Sequence, residues 1–302
     1  MRQREEIQKM LRPVRLVYHG SEKAEYGQMH KVERHYNHGD LEQAILAALV
    51  KEGKDIEQLS LDDLAPIDEF HIRGPEATRE MAEEIGLAGG MQVLDVGSGL
   101  GGPSRRLASN YGCSVTGLDL TEAYCRVAEA LSVRLGLDHL VSYRTGNALD
   151  MPFDDMSFDV LWTQHTAMNI EAKAQLYTEM YRVLKPGGHL AIYDIIAGPG
   201  GQVYFPLPWA RDPSISFLAT DDELRHFLET AGFKILSWRD TTDDGLAWFK
   251  AKSAQIKKLG KPILGYKILL GEDFPQMARN QLRSFNENRM ALLQAIAKRP
   301  AN

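Results

Sequence analysis

Residues 92–121, QVLDVGSGLGGPSRRLASNYGCSVTGLDLT, constrain the fold more than any other stretch. Val93, Leu94, Asp95 and Val96 read as a short buried strand, after which Gly97, Gly99, Gly101 and Gly102 crowd into a turn. Pro103 is placed to open a helix, because its missing N–H is one that a first helical turn leaves unpaired. A second apolar strand, from about Ser114 to Leu118, ends on Asp119, roughly twenty residues past the first glycines. At that distance an acidic side chain closes over the ribose of a nucleotide. Strand, glycine turn, helix and acid-tipped strand together make a nucleoside-binding half-site.

Gly97, Gly99 and Gly102 also satisfy the spacing GxGxxG, which leaves an NAD(P)-type dinucleotide open. Two residues argue against it. Asp95 would bring negative charge towards a pyrophosphate, and Pro103 removes a donor from the helix start where a pyrophosphate collects N–H groups. The order D-x-G-x-G-x-G, the second strand ending in Asp119, and the later blocks GNALDMPF, FDVLWTQHT and RVLKPGGHLAIYDI resemble the class I S-adenosylmethionine (SAM) dependent methyltransferases. SAM carries an amine, a carboxylate and a sulfonium but no phosphate, so carboxylates beside the loop are useful to it. The resemblance runs from about Pro66 to Thr241 and again in the final strand.

That resemblance implies an α/β fold, with a Rossmann-like seven-stranded sheet in the order 3-2-1-4-5-7-6 and helices on both faces. The cofactor would lie at the carboxyl ends of the first strands. Carried over by position, Gly97, Ser98, Gly99 and Gly101 would approach the methionyl part and the sugar, and Asp95 would help hold the amine. Asp119 would take both ribose hydroxyls and Leu120 would pack on the adenine. Asn147 and Ala148 stand where the family commonly has an acidic residue for the adenine amino group, and Gln164 would lie beside the methionine end.

Along the chain, residues 1–65 read as a polar arm and a helical cap, with Leu41, Ile45, Leu46, Leu49 and Val50 at helical spacing and a stop near Pro66. Residues 66–247 form the cofactor domain, entered through a helix from Thr78 to Ile85. Helices are expected at Thr121–Gly136, Glu171–Leu184 and Asp221–Ala231, alternating with strands at His139–Arg144, Phe158–Thr163, His189–Ile196 and Lys234–Arg239. Lys185-Pro-Gly-Gly reads as a turn. Residues 248–302 read as a helical lid and a last strand, although periodicity alone leaves MALLQAIAKRP open between helix and strand.

On the acceptor side, VLWTQHTAMNI and EFHIRG look most like the branch that methylates small amines such as sarcosine, dimethylglycine and phosphoethanolamine. That branch often has an acidic residue where His165 stands and a histidine where Asn169 stands. The aromatic insertion after the fifth strand offers Tyr204, Trp209 and Arg211, a wall for a cationic amine and, with Arg73, clamps for a carboxylate. His165 is the first candidate for a general base and His71 the second, with Tyr36 of the cap a candidate substrate contact. O- or C-methylation of an apolar metabolite such as a quinone or sterol is the second reading. An NAD(P)-dependent oxidoreductase and a SAM-binding protein without catalysis are more distant ones.

The rest of the composition narrows the partners. A net charge of −6 over 302 residues argues against a general grip on nucleic acid. Two cysteines, Cys113 and Cys125, make neither a disulfide framework nor a zinc site, and Asp154, Asp155 and Asp159 read as a solvated loop rather than a metal set. No long apolar run suggests a membrane span, and the N-terminus lacks an apolar signal core, so a cytoplasmic protein acting on a small molecule is expected. A homodimer is left open.

Overall fold

The computed structural model describes residues 31, 32, 35 and 41–301; the remaining residues, Tyr36 among them, lie outside the described residues. Seven strands form one sheet: β1 (Gln92–Val96), β2 (Ser114–Asp119), β3 (Val141–Thr145), β4 (Phe158–Gln164), β5 (Leu184–Ala197), β6 (Lys234–Asp240) and β7 (Met290–Lys298). Their order is β3-β2-β1-β4-β5-β7-β6, as expected from the resemblance. β1 to β5 are parallel, and β7 enters antiparallel between β5 and β6. MALLQAIAKRP is therefore mostly strand. Its residues read apolar in succession because both faces of a central strand are covered.

The helices are α1 (Leu41–Lys51), α2 (Leu61–Asp68), α3 (Pro75–Glu84), α4 (Gly102–Tyr111), α5 (Glu122–Arg134), α6 (Lys173–Val183), α7 (Asp221–Thr230), α8 (Thr242–Leu259), α9 (Lys267–Leu270) and α10 (Phe274–Asn286). Alternate strand residues enter opposite layers: Val93, Val115, Val160 and Trp162 pack with α3 and α4, whereas Leu94, Val96, Leu118 and Leu161 pack with α6 and α7. A third cluster joins Ile45 and Leu49 of α1, Leu64 of α2 and Leu131 of α5 to Leu264, Leu269, Leu270 and Met277. The N-terminal cap thus meets the C-terminal helices directly, each buried leucine contributing roughly 1.5–3 kcal/mol.

Several boundaries differ from the sequence reading for local reasons. Pro66 lies inside α2, which opens on a reciprocal cap between Ser60 and Asp63, so the proline forfeits one N–H bond without ending the helix. α3 begins at Pro75, three residues early, with the proline in its first turn. Lys185 to Gly188 bulge out of β5, where the register jumps from Phe158–Leu184 to Val160–His189. α2 and α8 each run across one of the expected domain boundaries, at 65/66 and 247/248.

Candidate active site

The carboxyl ends of β1, β2 and β4 open into a cavity of about 1340 Å³ that continues to α8 and α10. Asp119 sits at its edge and braces it. Its Oδ2 accepts from the Gly99 N–H and its Oδ1 from the Thr121 N–H, each at 2.8 Å. The carboxylate thereby ties the glycine turn to the start of α5, a cap that the Thr121 side chain does not supply. Burial raises the pKa of Asp119 and the two N–H bonds hold it back. Asp95 is buried deeper. It accepts from Ser104 Oγ at 2.6 Å, and desolvation pushes its pKa to about 7.

The glycines of the turn have different jobs. Gly97, Gly99 and Gly101 all have positive φ, at 78°, 54° and 79°. A Cβ on Gly97 would run into Thr166, and one on Gly101 into the Tyr143 ring, while Gly99 faces open space. Gly101 is not part of the cavity wall, so its expected approach to a ligand is corrected: it lets the chain pass Tyr143.

Two buried polar atoms on the wall, Ser98 Oγ and Gln164 Nε2, have no partner among the described residues. Gln164 is oriented by its Oε1, which accepts from Trp162 Nε1 at 2.8 Å, so its amide donors are the unused end. Unpaired buried donors are costly, and a ligand carboxylate would satisfy them. With Asp95 and Asp119 nearby on the same wall, the residues fit an aminoacyl nucleoside. Leu120, Asn147 and Ala148 also line the cavity. Asn147 Oδ1 accepts from the Leu149 N–H at 2.9 Å, so the amide shapes its own turn.

Both histidines reach the cavity, but their hydrogen bonds separate them. His165 stands at φ 52°, stacked on Tyr193, with Nδ1 3.2 Å from the Tyr193 carbonyl and Nε2 accepting from the Ile72 N–H at 3.3 Å. Burial, followed by the proximity of His71, lowers its pKa to about 3. Both ring nitrogens are used by backbone groups, which corrects its ranking as the first base. His71 donates Nε2–H to the Gly74 carbonyl at 2.9 Å, and this tautomer leaves Nδ1 as the basic nitrogen. Burial lowers its pKa to about 4.

The expected acceptor contacts mostly lie elsewhere. Arg73 forms a two-pronged pair with Glu80, at 3.0 and 2.5 Å. Arg211 pairs with Asp273. Tyr204 is held between the guanidinium groups of Arg283 and Arg289 and donates to Glu287. None of the three is on the cavity wall. Their polar ends are consumed by other side chains, 83 and 62 residues away for Tyr204 and Arg211 but in the adjoining α3 for Arg73. Trp209 and Asn169 are on the wall, yet Asn169 spends its amide nitrogen on the carbonyls of Trp209 and Ile215. Trp248, Phe249, Tyr266 and Phe274 form an aromatic wall instead.

Four charged residues were invisible as a site in the sequence. Asp68 pairs with Arg105 at 2.6 Å and Glu69 with Arg106 at 2.5 Å, all buried, locking α2 onto α4 below the cavity. The only sequence signal is that two adjacent acids face two adjacent arginines 37 residues on. Among the described residues no cluster of three or more His, Cys, Asp or Glu could hold a metal ion. Asp155 and Asp159 are paired with Arg182 and Lys185. Cys113 and Cys125 are free buried thiols.

Residues 94–192 match a family described as a methyltransferase domain. The sterol 24-C-methyltransferase of Gibberella zeae is 33% identical over 56% of this chain and 47% of its own length. The glycine/sarcosine/dimethylglycine N-methyltransferase of Actinopolyspora halophila is 31% identical over 45% of this chain and 24% of its own. The chain spans about half the length of the first curated relatives it matches, 47% to 50% of theirs. In structure, the geranyl diphosphate C-methyltransferase of Streptomyces coelicolor superposes with a TM-score of 0.66 at 18% identity, over 90% of this chain and 98% of that one.

Proposed function

We propose that the chain, whose residues 94–192 match a methyltransferase domain and lie in a sheet ordered β3-β2-β1-β4-β5-β7-β6, transfers the methyl group of SAM to a small-molecule acceptor with an extended apolar body. The observation that carries the acceptor reading is the cavity. Its volume, about 1340 Å³, exceeds the roughly 300–1,000 Å³ of an ordinary ligand pocket, and beyond the polar end it is walled by Trp248, Phe249, Tyr266 and Phe274. A cofactor and a sarcosine-sized amine would leave much of that apolar wall wet. The arginines expected to clamp an amino-acid carboxylate are paired away from it.

When bound, the cofactor supplies an electrophilic methyl on a sulfonium, displaced in line by the acceptor. The residues of this chain bind, orient and exclude water. Asp119 would accept from the ribose hydroxyls, its carboxylate already aimed by two N–H bonds. Asp95 would face the ammonium, and Ser98 Oγ and Gln164 Nε2 the carboxylate. His71, neutral above about pH 4, would accept a hydrogen bond from an acceptor hydroxyl through Nδ1 and fix its approach. Positioning of this kind supplies most of the acceleration in such a displacement. N-methylation of a small amine is the second reading, supported by the likeness to the Actinopolyspora enzyme and by the aromatic wall.

The test is radiolabelled methyl transfer from SAM to sarcosine, phosphoethanolamine and a set of prenylated phenols, beside calorimetric titration with S-adenosylhomocysteine. Micromolar S-adenosylhomocysteine affinity and turnover on the phenols are expected. Turnover on the amines alone overturns the acceptor class, and binding of NAD in place of S-adenosylhomocysteine overturns the reaction. Asp119→Asn should weaken S-adenosylhomocysteine binding more than about tenfold.

A further inference from the structure

One side of the cavity mouth carries the opposite sign of charge to the whole molecule. From Lys250 to Lys267 the chain has six lysines and no aspartate or glutamate, in a protein of net charge −6. This segment is the C-terminal half of α8, the turn after it and the first residue of α9. Lys267 pairs with Glu272 at 2.9 Å, and Lys252 lies 5.7 Å from the Trp248 ring centroid. Lys250, Lys252, Lys257, Lys258 and Lys261 form no ion pair with a described residue. Glu52, the acid that touches the turn, uses Oε1 to accept from the Ile263 and Leu264 N–H groups at 2.7 and 2.9 Å, which anchors the segment to the end of α1.

Large apolar side chains stand among these lysines. Leu259 is 71% exposed, Ile263 50% and Ile256 40%. Ile256, Ile263, Lys252, Lys257 and Lys261 line the cavity mouth, but Leu259, Lys250 and Lys258 do not. A molecule seated in the cavity leaves those last three untouched, whereas Ile256 and Leu259 stand about 60° apart around α8 with Lys257 and Lys258 about 100° to either side, so a surface laid on that apolar strip meets lysines on both flanks. Exposed leucine and isoleucine set among unpaired lysines are the composition of an interfacial anchor, and negatively charged lipid is its electrostatic complement. Residues 1–40, with eight Lys or Arg and six Asp or Glu, share the sign of the rim and are no counter-charge for it.

We propose that this rim docks on an anionic bilayer surface, with Leu259, Ile256 and Ile263 in the headgroup boundary and the lysines at phosphate level, so that the cavity opens towards the lipid. No helix among the described residues is long and apolar enough to cross a membrane, and none is required for a peripheral contact. The docking stands independently of the methyl-transfer reading, although an apolar acceptor would be loaded by this route.

The test is co-sedimentation of the full chain with vesicles of phosphatidylcholine alone and of phosphatidylcholine containing about 30 mol% phosphatidylglycerol. Binding to the anionic vesicles alone is expected, falling steeply between about 0.1 and about 1 M NaCl as screening shortens. The triple variant Lys250→Glu/Lys258→Glu/Leu259→Ser, whose positions all lie outside the cavity wall, should partition at least about tenfold more weakly while its thermal unfolding midpoint stays unchanged. Failure of the wild type to sediment, equal binding to neutral vesicles, or an unaffected variant overturns the proposal. So does capture of monomeric dodecyl phosphate without vesicle binding, which would reassign the rim to a single anionic ligand.

Discussion

His165 turns the chain out of β4 at a φ of 52°, a conformation that asparagine tolerates and a β-branched residue does not. His165→Asn should therefore keep the fold, whereas His165→Val should lose more than about 2 kcal/mol in urea unfolding. The imidazole also has a pH signature. Its folded-state pKa, near 3, lies below the ordinary 6.5, so the unfolded chain binds the proton first and stability drains away as pH falls from about 6.5 towards 3. Asp95 works in the opposite sense: its folded pKa near 7 favours the folded state as pH falls towards 4. Comparing His165→Asn with the wild type isolates the histidine. The variant should lose less stability across that window, by about 3–5 kcal/mol at most. Asp119 was legible from the sequence because a strand end and a fixed spacing declare it. The His165 hydrogen bonds were not, since they depend on the Tyr193 carbonyl and the Ile72 N–H, far along the chain.

At the level of elements, the proposed cofactor end of the cavity comes from consecutive pieces, β1, the turn, α4 and β2, so contiguous sequence spells it out. The far end, where we propose the acceptor lies, is assembled from α8, the turn after it and α10, each brought in by packing. That difference explains why the pairings of Tyr204 with Glu287 and of Arg211 with Asp273, which leave both off the cavity wall, have no local signal in the sequence. The α2–α4 junction is a further case, because adjacent charges read as a solvated face until their partners are seen. Asp68 and Arg105 are both buried, with the aspartate pushed to about 6 by desolvation despite its partner. Arg105→Met should cost about 3–5 kcal/mol by chemical denaturation, because it strands a buried carboxyl. Adding Asp68→Asn should recover part of the loss.

For the whole molecule, the order and alternation of strands and helices were readable because both faces of the sheet demand apolar runs of strand length. The place of β7 between β5 and β6 was carried by family likeness, since its own residues leave helix and strand equally open, and its antiparallel direction is seen only in the structure. Ala295 of β7 faces Ile192 on β5 and Trp238 on β6. Ala295→Pro would remove a donor and wedge both ladders, and soluble monomer should vanish from expression trials and size-exclusion profiles alike.

β7 also orders events during synthesis. Five parallel strands can pair as they leave the ribosome, but β6 emerges with no neighbour and must wait until Met290–Lys298 arrive. The roughly 50 residues between them take about 3–10 s to translate at 5–20 residues per second. During that interval β6 has bare edges on both sides, and α8 and α10, the two helices that later line the cavity, are made while it waits. The nascent protein is most exposed to chaperone capture and mispairing just before its last strand slides home.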